Sequence, residues 1–152
     1  MTTIVAGSDE QRPFVASRFV VEFGSLTGLF TDVSGLSIDI EEVESTVVNL
    51  KGEQVTRWTP GTVNYGELTL KRELTGDKGF WNWHVEMAKG DRKAGYRNGS
   101  ITLYDLDASM LDSWSIERAW PSKWSASDLD SGSADPIIEE ITIQLELLKR
   151  GT

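Results

Sequence analysis

The chain has 152 residues, 39% of them hydrophobic and 26% charged, with no cysteine, one histidine and a formal charge of −9. That length suits one domain with its own core, and the composition argues against wholesale disorder. Without cysteine there are no disulfides, thiolate zinc sites or cysteine nucleophiles, and His84 alone is too little for a histidine-built metal site or a Ser-His-Asp triad.

Charge is unevenly spread. Residues 1–50 carry a net −6, residues 51–70 balance, residues 71–97 carry +3, and residues 98–152 carry −6. Duplex nucleic acid is a poor fit as a specific ligand, because phosphate neutralisation needs a basic face. Excess acid favours solubility, and acidic ends with a basic middle also favour contact between copies.

In chain order, residues 1–13 are polar and aperiodic and read as an N-terminal arm. The domain is expected over 14–152. Ala16 to Gly24 alternate, with Phe19, Val21 and Phe23 on one parity, which predicts a strand. Gly28 and Gly35 punctuate the next stretch. Leu36 to Val48 predicts a second, long strand. Its apolar parity switches between Ile40 and Val43, which means a bulge or bend near Glu41–Glu42, or a distal part that leaves the sheet as an arm. Asn49 to Thr62, with Gly52, Pro60 and Gly61, reads as a long connecting loop of the kind that carries function. Trp58, flanked by Arg57 and Thr59, reads as an interface or ligand anchor there. Val63 to Leu74 predicts strand three, with Leu68, Leu70 and Leu74 on one side.

One helix is expected over 78–89, with Asp77 as N-cap and Gly90 as the C′ residue. Phe80, Trp83, His84 and Met87 fall at i, i+3, i+4 and i+7, so they form its core face, with His84 a packed, hydrogen-bonded side chain. Asn98–Gly99 marks a turn, Ser100 to Tyr104 strand four, and Ser113 to Trp120 strand five, ended by Pro121. Ser122 to Pro136 reads as a polar loop. Ile137 to Leu148 is strand six, with Ile141, Ile143, Leu145 and Leu147 inward. Six strands and one helix predict a mainly-β, antiparallel barrel or sandwich.

Chemical motifs fail one by one. Gly90 and Gly95 have phosphate-loop spacing, but Tyr96–Arg97 follows where Lys-Ser/Thr is needed. Asp128 to Gly132 with Glu139 resembles a calcium loop whose glycine comes one position early. Glu41, Glu42 and Glu44 are a solvated strand face before they are a glycosidase pair. Asn98–Gly99–Ser100 is formally a glycosylation acceptor and reads more simply as a turn. No enzyme, cofactor or metal is expected. No apolar run has the length of a membrane span and no signal peptide is visible, so assembly is expected in the cytoplasm.

Seven segments together resemble the tail-tube proteins of contractile phages and phage-tail-like injection systems. They are Arg18–Glu22, Gly28–Leu36, Pro60–Arg72, Phe80–Trp83, Arg97–Ile101, Trp120–Trp124 and Ile138–Ile143. The resemblance implies β-barrel subunits in hexameric rings, stacked into a hollow tube inside a contractile sheath. Partners implied are further copies, sheath, baseplate or initiator and terminator proteins, with effector protein or DNA in the lumen. An arm over 43–62 is implied to reach the next ring, with Trp58 as apolar anchor and Lys51, Glu53, Gln54 and Arg57 as polar partners. Glu41 and Glu44 are the acids implied for the lumen wall. Two alternatives remain: a type VI secretion-like tube protein, less well matched by these motifs, and a carbohydrate-binding β-module.

Overall fold

A computed structural model describes residues 13–15, 18–90 and 95–151. All but the last residue of the expected N-terminal arm lies outside the described residues. The elements are β1 (Arg18–Phe23), β2 (Leu26–Phe30), β3 (Asp32–Ser34), β4 (Ile38–Val48), β5 (Gln54–Tyr65), β6 (Leu68–Glu73), α1 (Gly79–Ala88), β7 (Arg97–Tyr104), β8 (Met110–Ala126), β9 (Ile138–Gln144) and β10 (Leu147–Arg150). Among the described residues the mainly-β antiparallel class with one helix is therefore observed, with more strands than expected.

Seven strands form one sheet in the order β2-β1-β7-β8-β9-β6-β3, and β10 pairs with β8. Only Thr31 separates β2 from β3, although these strands stand at opposite ends of that order. The sheet must therefore curl until its ends meet, which gives it a barrel-like wrap. β8 makes the curl possible. It pairs with β7 over Met110–Ala119 and with β9 over Trp120–Ala126. Two extra residues, one around Glu117–Arg118 and one at Ser122, bend it between these partners. Arg118 has φ 52°, and Asn98 Oδ1 accepts its N–H at 2.9 Å. Pro121 therefore does not end the strand as expected; it sits beside a bulge, where a missing N–H is tolerated. Asn98–Gly99 is likewise within β7 and not a turn. A Cβ at Gly99 would fall on the Glu22 carbonyl oxygen of β1, so glycine serves close strand approach here.

The core gathers Val21, Phe23, Phe30, Leu68, Leu70, Phe80, Trp83, Ile101, Ile116, Ala119, Ile141 and Ile143. α1 lies one residue inside its expected bounds at each end. Lys78, not Asp77, holds the N-cap position, but Asp77 Oδ1 still accepts the Gly79 N–H at 3.0 Å. Gly90, at φ 90°, is the expected C′ residue, and its N–H donates to the Met87 carbonyl. Phe80 and Trp83 are fully buried; His84 and Met87 are only partly so.

The expected strand three breaks at Gly66–Glu67 into the end of β5 and the whole of β6. β6 turns Leu68, Leu70 and then Arg72 inward, and Leu74 lies beyond it, partly exposed. β9 turns Glu139 inward on the same parity as Ile141 and Ile143. Arg72 and Glu139 are cross-strand partners, and Arg72 Nε donates to Glu139 Oε1 at 2.6 Å. Trp124 Nε1 donates to Glu139 Oε2 at 2.8 Å. The guanidinium also lies 4.9 Å from the Phe30 ring and 5.2 Å from the Phe80 ring. Thus one charged pair ties β6, β8, β9, β2 and α1 together.

Two outcomes are expected. Removing Glu139 leaves the buried Arg72 with only the half-exposed Asp77 at 3.6 Å, so Glu139→Leu should cost about 3 kcal/mol in urea unfolding, and Arg72→Leu/Glu139→Leu together should recover much of it. A smaller effect concerns β10. Burial raises the Asp112 carboxyl pKa, but bonds from Arg150 Nε and the Ser113 N–H outweigh it and hold it below its ordinary value of 3.8. Its contribution is thus complete above that value and disappears as pH falls through the depressed native one. Asp112→Asn should remove this acid limb from the stability–pH curve, a change of at most about 1 kcal/mol because Arg150 is largely exposed.

Candidate assembly interface

Two features stand apart from the core: a projecting ribbon and a sheet with open sides. The ribbon is β4 and β5, which pair only with each other. The expected long loop over 49–62 is therefore mostly strand. Alternation is weak there because, among the described residues, nothing covers either face of the ribbon, so no burial pattern was imposed on the sequence. The tip is a tight turn. Asn49 Oδ1 accepts the N–H groups of Lys51 and Glu53 at 2.9 and 3.0 Å, and Gly52 adopts φ 80°. Leu50 stands fully exposed on that turn.

The ribbon's register decides which residues share a face. Ile40 pairs with Val63 and Glu42 with Pro60. β4 therefore advances two residues while β5 advances three, so the extra residue lies in β5, at Gly61–Thr62 opposite Glu41. A bulge is present where it was expected, but on the partner strand. A Cβ on Gly61 would stand 2.9 Å from Val43 Cγ2, which favours glycine. β4 itself alternates without interruption. One face presents Ile38, Ile40, Glu42 and Glu44 with Tyr65, Val63, Pro60 and Trp58; the other presents Asp39, Glu41, Val43 and Ser45 with Asn64, Thr59 and Arg57.

This separates the residues grouped in the sequence. Lys51 and Glu53 sit in the turn, and Gln54 opens β5 opposite Val48. Trp58 pairs with Glu44 and Arg57 with Ser45, on opposite faces. Glu41 and Glu44 also lie on opposite faces. The first face leaves Ile38 61%, Ile40 50%, Trp58 59% and Val63 46% exposed, an apolar strip with no cover among the described residues.

The second feature is the half of the sheet formed by β3, β6, β9 and the Trp120–Ala126 half of β8. Cross-strand rows on its solvent face read Asp32–Lys71–Glu140–Ser125 and Ser34–Thr69–Thr142–Lys123. Sequence reasoning missed β3 altogether: at three residues it is too short for periodicity to register.

The helix residues take a different part. Met87 and His84 line a cavity of about 300 Å³ with Ala88, Tyr96, Trp120, Pro121 and Ser122. His84 Nδ1 is buried and has no hydrogen-bond partner among the described residues, contrary to the expectation of a hydrogen-bonded side chain. Trp81 is 42% exposed and meets Trp124 edge-on at 4.8 Å. Glu139, the candidate last ligand of the calcium-like loop, is committed to Arg72 and Trp124. Among the described residues no cluster of three or more His, Asp or Glu is placed to hold a metal ion.

Comparison with known proteins gives the ribbon and sheet a context. No curated protein sequence matches the chain. The family model described as T4-like virus tail tube protein gp19 matches residues 15–149. A chain of the PVC sheath–tube complex, an extracellular contractile injection system in its extended state, is 21% identical; each chain covers 99% of the other, with a TM-score of 0.77. A chain of the anti-feeding prophage baseplate is 23% identical over 92% of this chain and 96% of that one, at 0.74. Hcp1 from Flavobacterium johnsoniae is 16% identical over 88% and 94%, at 0.57. These structures share the fold. With the family model spanning nearly the whole domain, the chain belongs to the T4-like virus tail tube protein family and is a structural subunit of a tail tube.

Proposed function

We propose that six copies of this chain close into a ring and that rings stack through the β4–β5 ribbon into a hollow tube. The observation that carries this reading is the uncovered apolar strip of Ile38, Ile40, Trp58 and Val63 on a ribbon with no third strand. A two-stranded ribbon is marginal by itself in water, so contact with neighbouring copies supplies the missing cover. Trp58 acts as apolar anchor towards the adjoining ring, and Lys51, Glu53 and Gln54 at the tip and Arg57 on the opposite face provide polar contacts.

The two faces of the ribbon suit two surroundings. The apolar one, with Glu44 beside Trp58, lies against a neighbour. The other, over its proximal part with Asp39, Glu41 and Asn64, faces the lumen, while Arg57 further out on it reaches the adjoining ring. Acid there repels phosphate and acidic polypeptide alike, which lowers friction for a threaded cargo, whether DNA or effector protein. The solved relatives come from a sheath–tube complex and a baseplate. A contractile sheath, a baseplate or initiator complex and a terminator are accordingly the partners proposed for this tube, with the chain assembled in the cytoplasm and then carried in a tail or particle. The expected division into an arm over 1–13 and a domain over 14–152 is part of the same proposal.

Negative-stain microscopy of the purified chain should show six-fold rings or long hollow filaments. The ribbon is best shortened between cross-strand partners, replacing residues 45–57 by Asn-Gly between Glu44 and Trp58, so that the stub keeps its pairing. This variant should stay folded and form rings that do not elongate; filaments of unchanged length would remove the stacking role of the ribbon. Trp58→Ala alone should weaken stacking by about 2 kcal/mol, the scale of an aromatic anchor, seen as a higher protein concentration for filament onset.

A further inference from the structure

β2 borders a gap in the barrel wall. The Gly24 N–H donates to the Asn98 carbonyl of β7. That directs the backbone groups of the even-numbered β1 residues towards β7 and those of Phe19, Val21 and Phe23 towards β2. Their partners on β2 are Phe30, Gly28 and Leu26, so the N–H and C=O groups of Thr27 and Leu29 point away from β1. Thr31 follows on the same parity, and its N–H donates to the Lys71 carbonyl of β6 at 3.0 Å. Beyond that rung β2 and β6 part, and no described strand pairs with β2 on this side.

The gap is a groove of about 770 Å³. Val20, Thr27 and Leu29 line one wall, with Leu29 left 60% exposed, and Arg72, Glu73 and Asp77 line the other. Gly28 leaves room for the guanidinium beneath β2: a Cβ there would stand 3.0 Å from Arg72 Nη1. Arg72 Nη2 is buried and has no hydrogen-bond partner among the described residues. The groove thus offers unpaired strand backbone, an apolar Val20–Leu29 floor and a donor without an acceptor. An extended peptide satisfies all three. A free anion does not, because Glu73 and Asp77 stand in the same groove.

We propose that the chain's own residues Thr2–Ala6, outside the described residues, fill this groove as a strand added to β2, with a backbone carbonyl on their far side accepting from Arg72 Nη2. Sequence and reach choose the occupant. Thr2, Thr3, Ile4 and Val5 are consecutive β-branched residues, the type that suits a half-buried strand. Thr2 to Ser8 holds no charged side chain, so nothing in it opposes Glu73 and Asp77. β1 begins at Arg18, next to the Phe19–Phe30 pair at the mouth of the groove. One strand spacing, about 5 Å, leads from there across β2. The segment between Val5 and Arg18 can extend to roughly 40 Å, ample for that crossing. The added strand closes an open edge within one copy, and the proposal depends on neither the ring nor the stacking reading.

The chain has no cysteine, so an introduced pair meets no other thiol in its own copy. Leu29→Cys is combined in turn with Thr3→Cys, Ile4→Cys and Val5→Cys in the full chain, held below the concentration of filament onset. Mild oxidation should give an intrachain disulfide in at least one of the three, read by peptide mapping. The control replaces Leu29→Cys by Met110→Cys. Met110 is as exposed as Leu29 and pairs with Tyr104, which itself pairs with Arg18, so a loose arm reaches it equally well. The Leu29 bond should form about tenfold faster than the control. Deleting residues 2–8 should leave unfolding cooperative and speed amide exchange at Thr27 and Leu29 about tenfold. Disulfides no faster than the control, bonds only between copies, or unchanged exchange in the deletion would each overturn the proposal. Negative-stain images of the same variants at higher concentration report on the tube reading separately, since neither readout requires assembly.

Discussion

An open strand edge carries N–H and C=O groups that must be satisfied, and this requirement organises the molecule. The chain satisfies most of them internally by curling one antiparallel sheet until β2 and β3 adjoin through Thr31. It leaves others open: both long sides of the β4–β5 ribbon, the outer side of β3 and the second half of β8. A monomeric domain usually protects such edges with charge, bulges or covering loops. Here the exposed parts are extended and partly apolar, which is the condition for sheet growth between copies.

Growth of that kind is useful only if each subunit holds its shape under load. The Arg72–Glu139 pair provides rigidity where the open half-sheet meets the core. It spans β6 and β9, receives the Trp124 indole N–H from β8, and sets the guanidinium over Phe30 and Phe80. A buried ion pair adds little net stability compared with apolar packing. It does fix direction, because each carboxylate oxygen has one donor: a slip of β6 against β9 would break the Arg72 bond, and a slip of β8 against β9 the Trp124 bond. The strands that offer free sides are thereby held in one register.

Much of the fold was legible in the amino-acid order. Period-two alternation located β1, the core of β6 and β9, and the i, i+3, i+7 spacing located α1 and its buried Phe80 and Trp83. Alternation becomes visible where one face is buried and the other wet. That condition fails in the ribbon, which is why Gln54 to Tyr65 resembles a loop, and in β3, which is too short. Pro121 and Asn98–Gly99 mislead for another reason: local turn chemistry is overridden when bulges bend β8 and β1 packs tightly on β7.

Composition and order by themselves settled the class: one antiparallel β domain with a single helix, no cysteine chemistry, acidic overall, with motifs in the sequence of the tail-tube family. Tertiary structure alone decided that Glu139 is buried against Arg72, that Glu41 and Glu44 point to opposite faces, and that Asp32 and Lys123 border the two free sides of one sheet. The reason is physical. Hydrophobic periodicity depends on neighbours within a few residues, whereas register, bulge placement and cross-strand partnership depend on residues brought together from far along the chain, as Arg72 and Glu139 are from 67 positions apart.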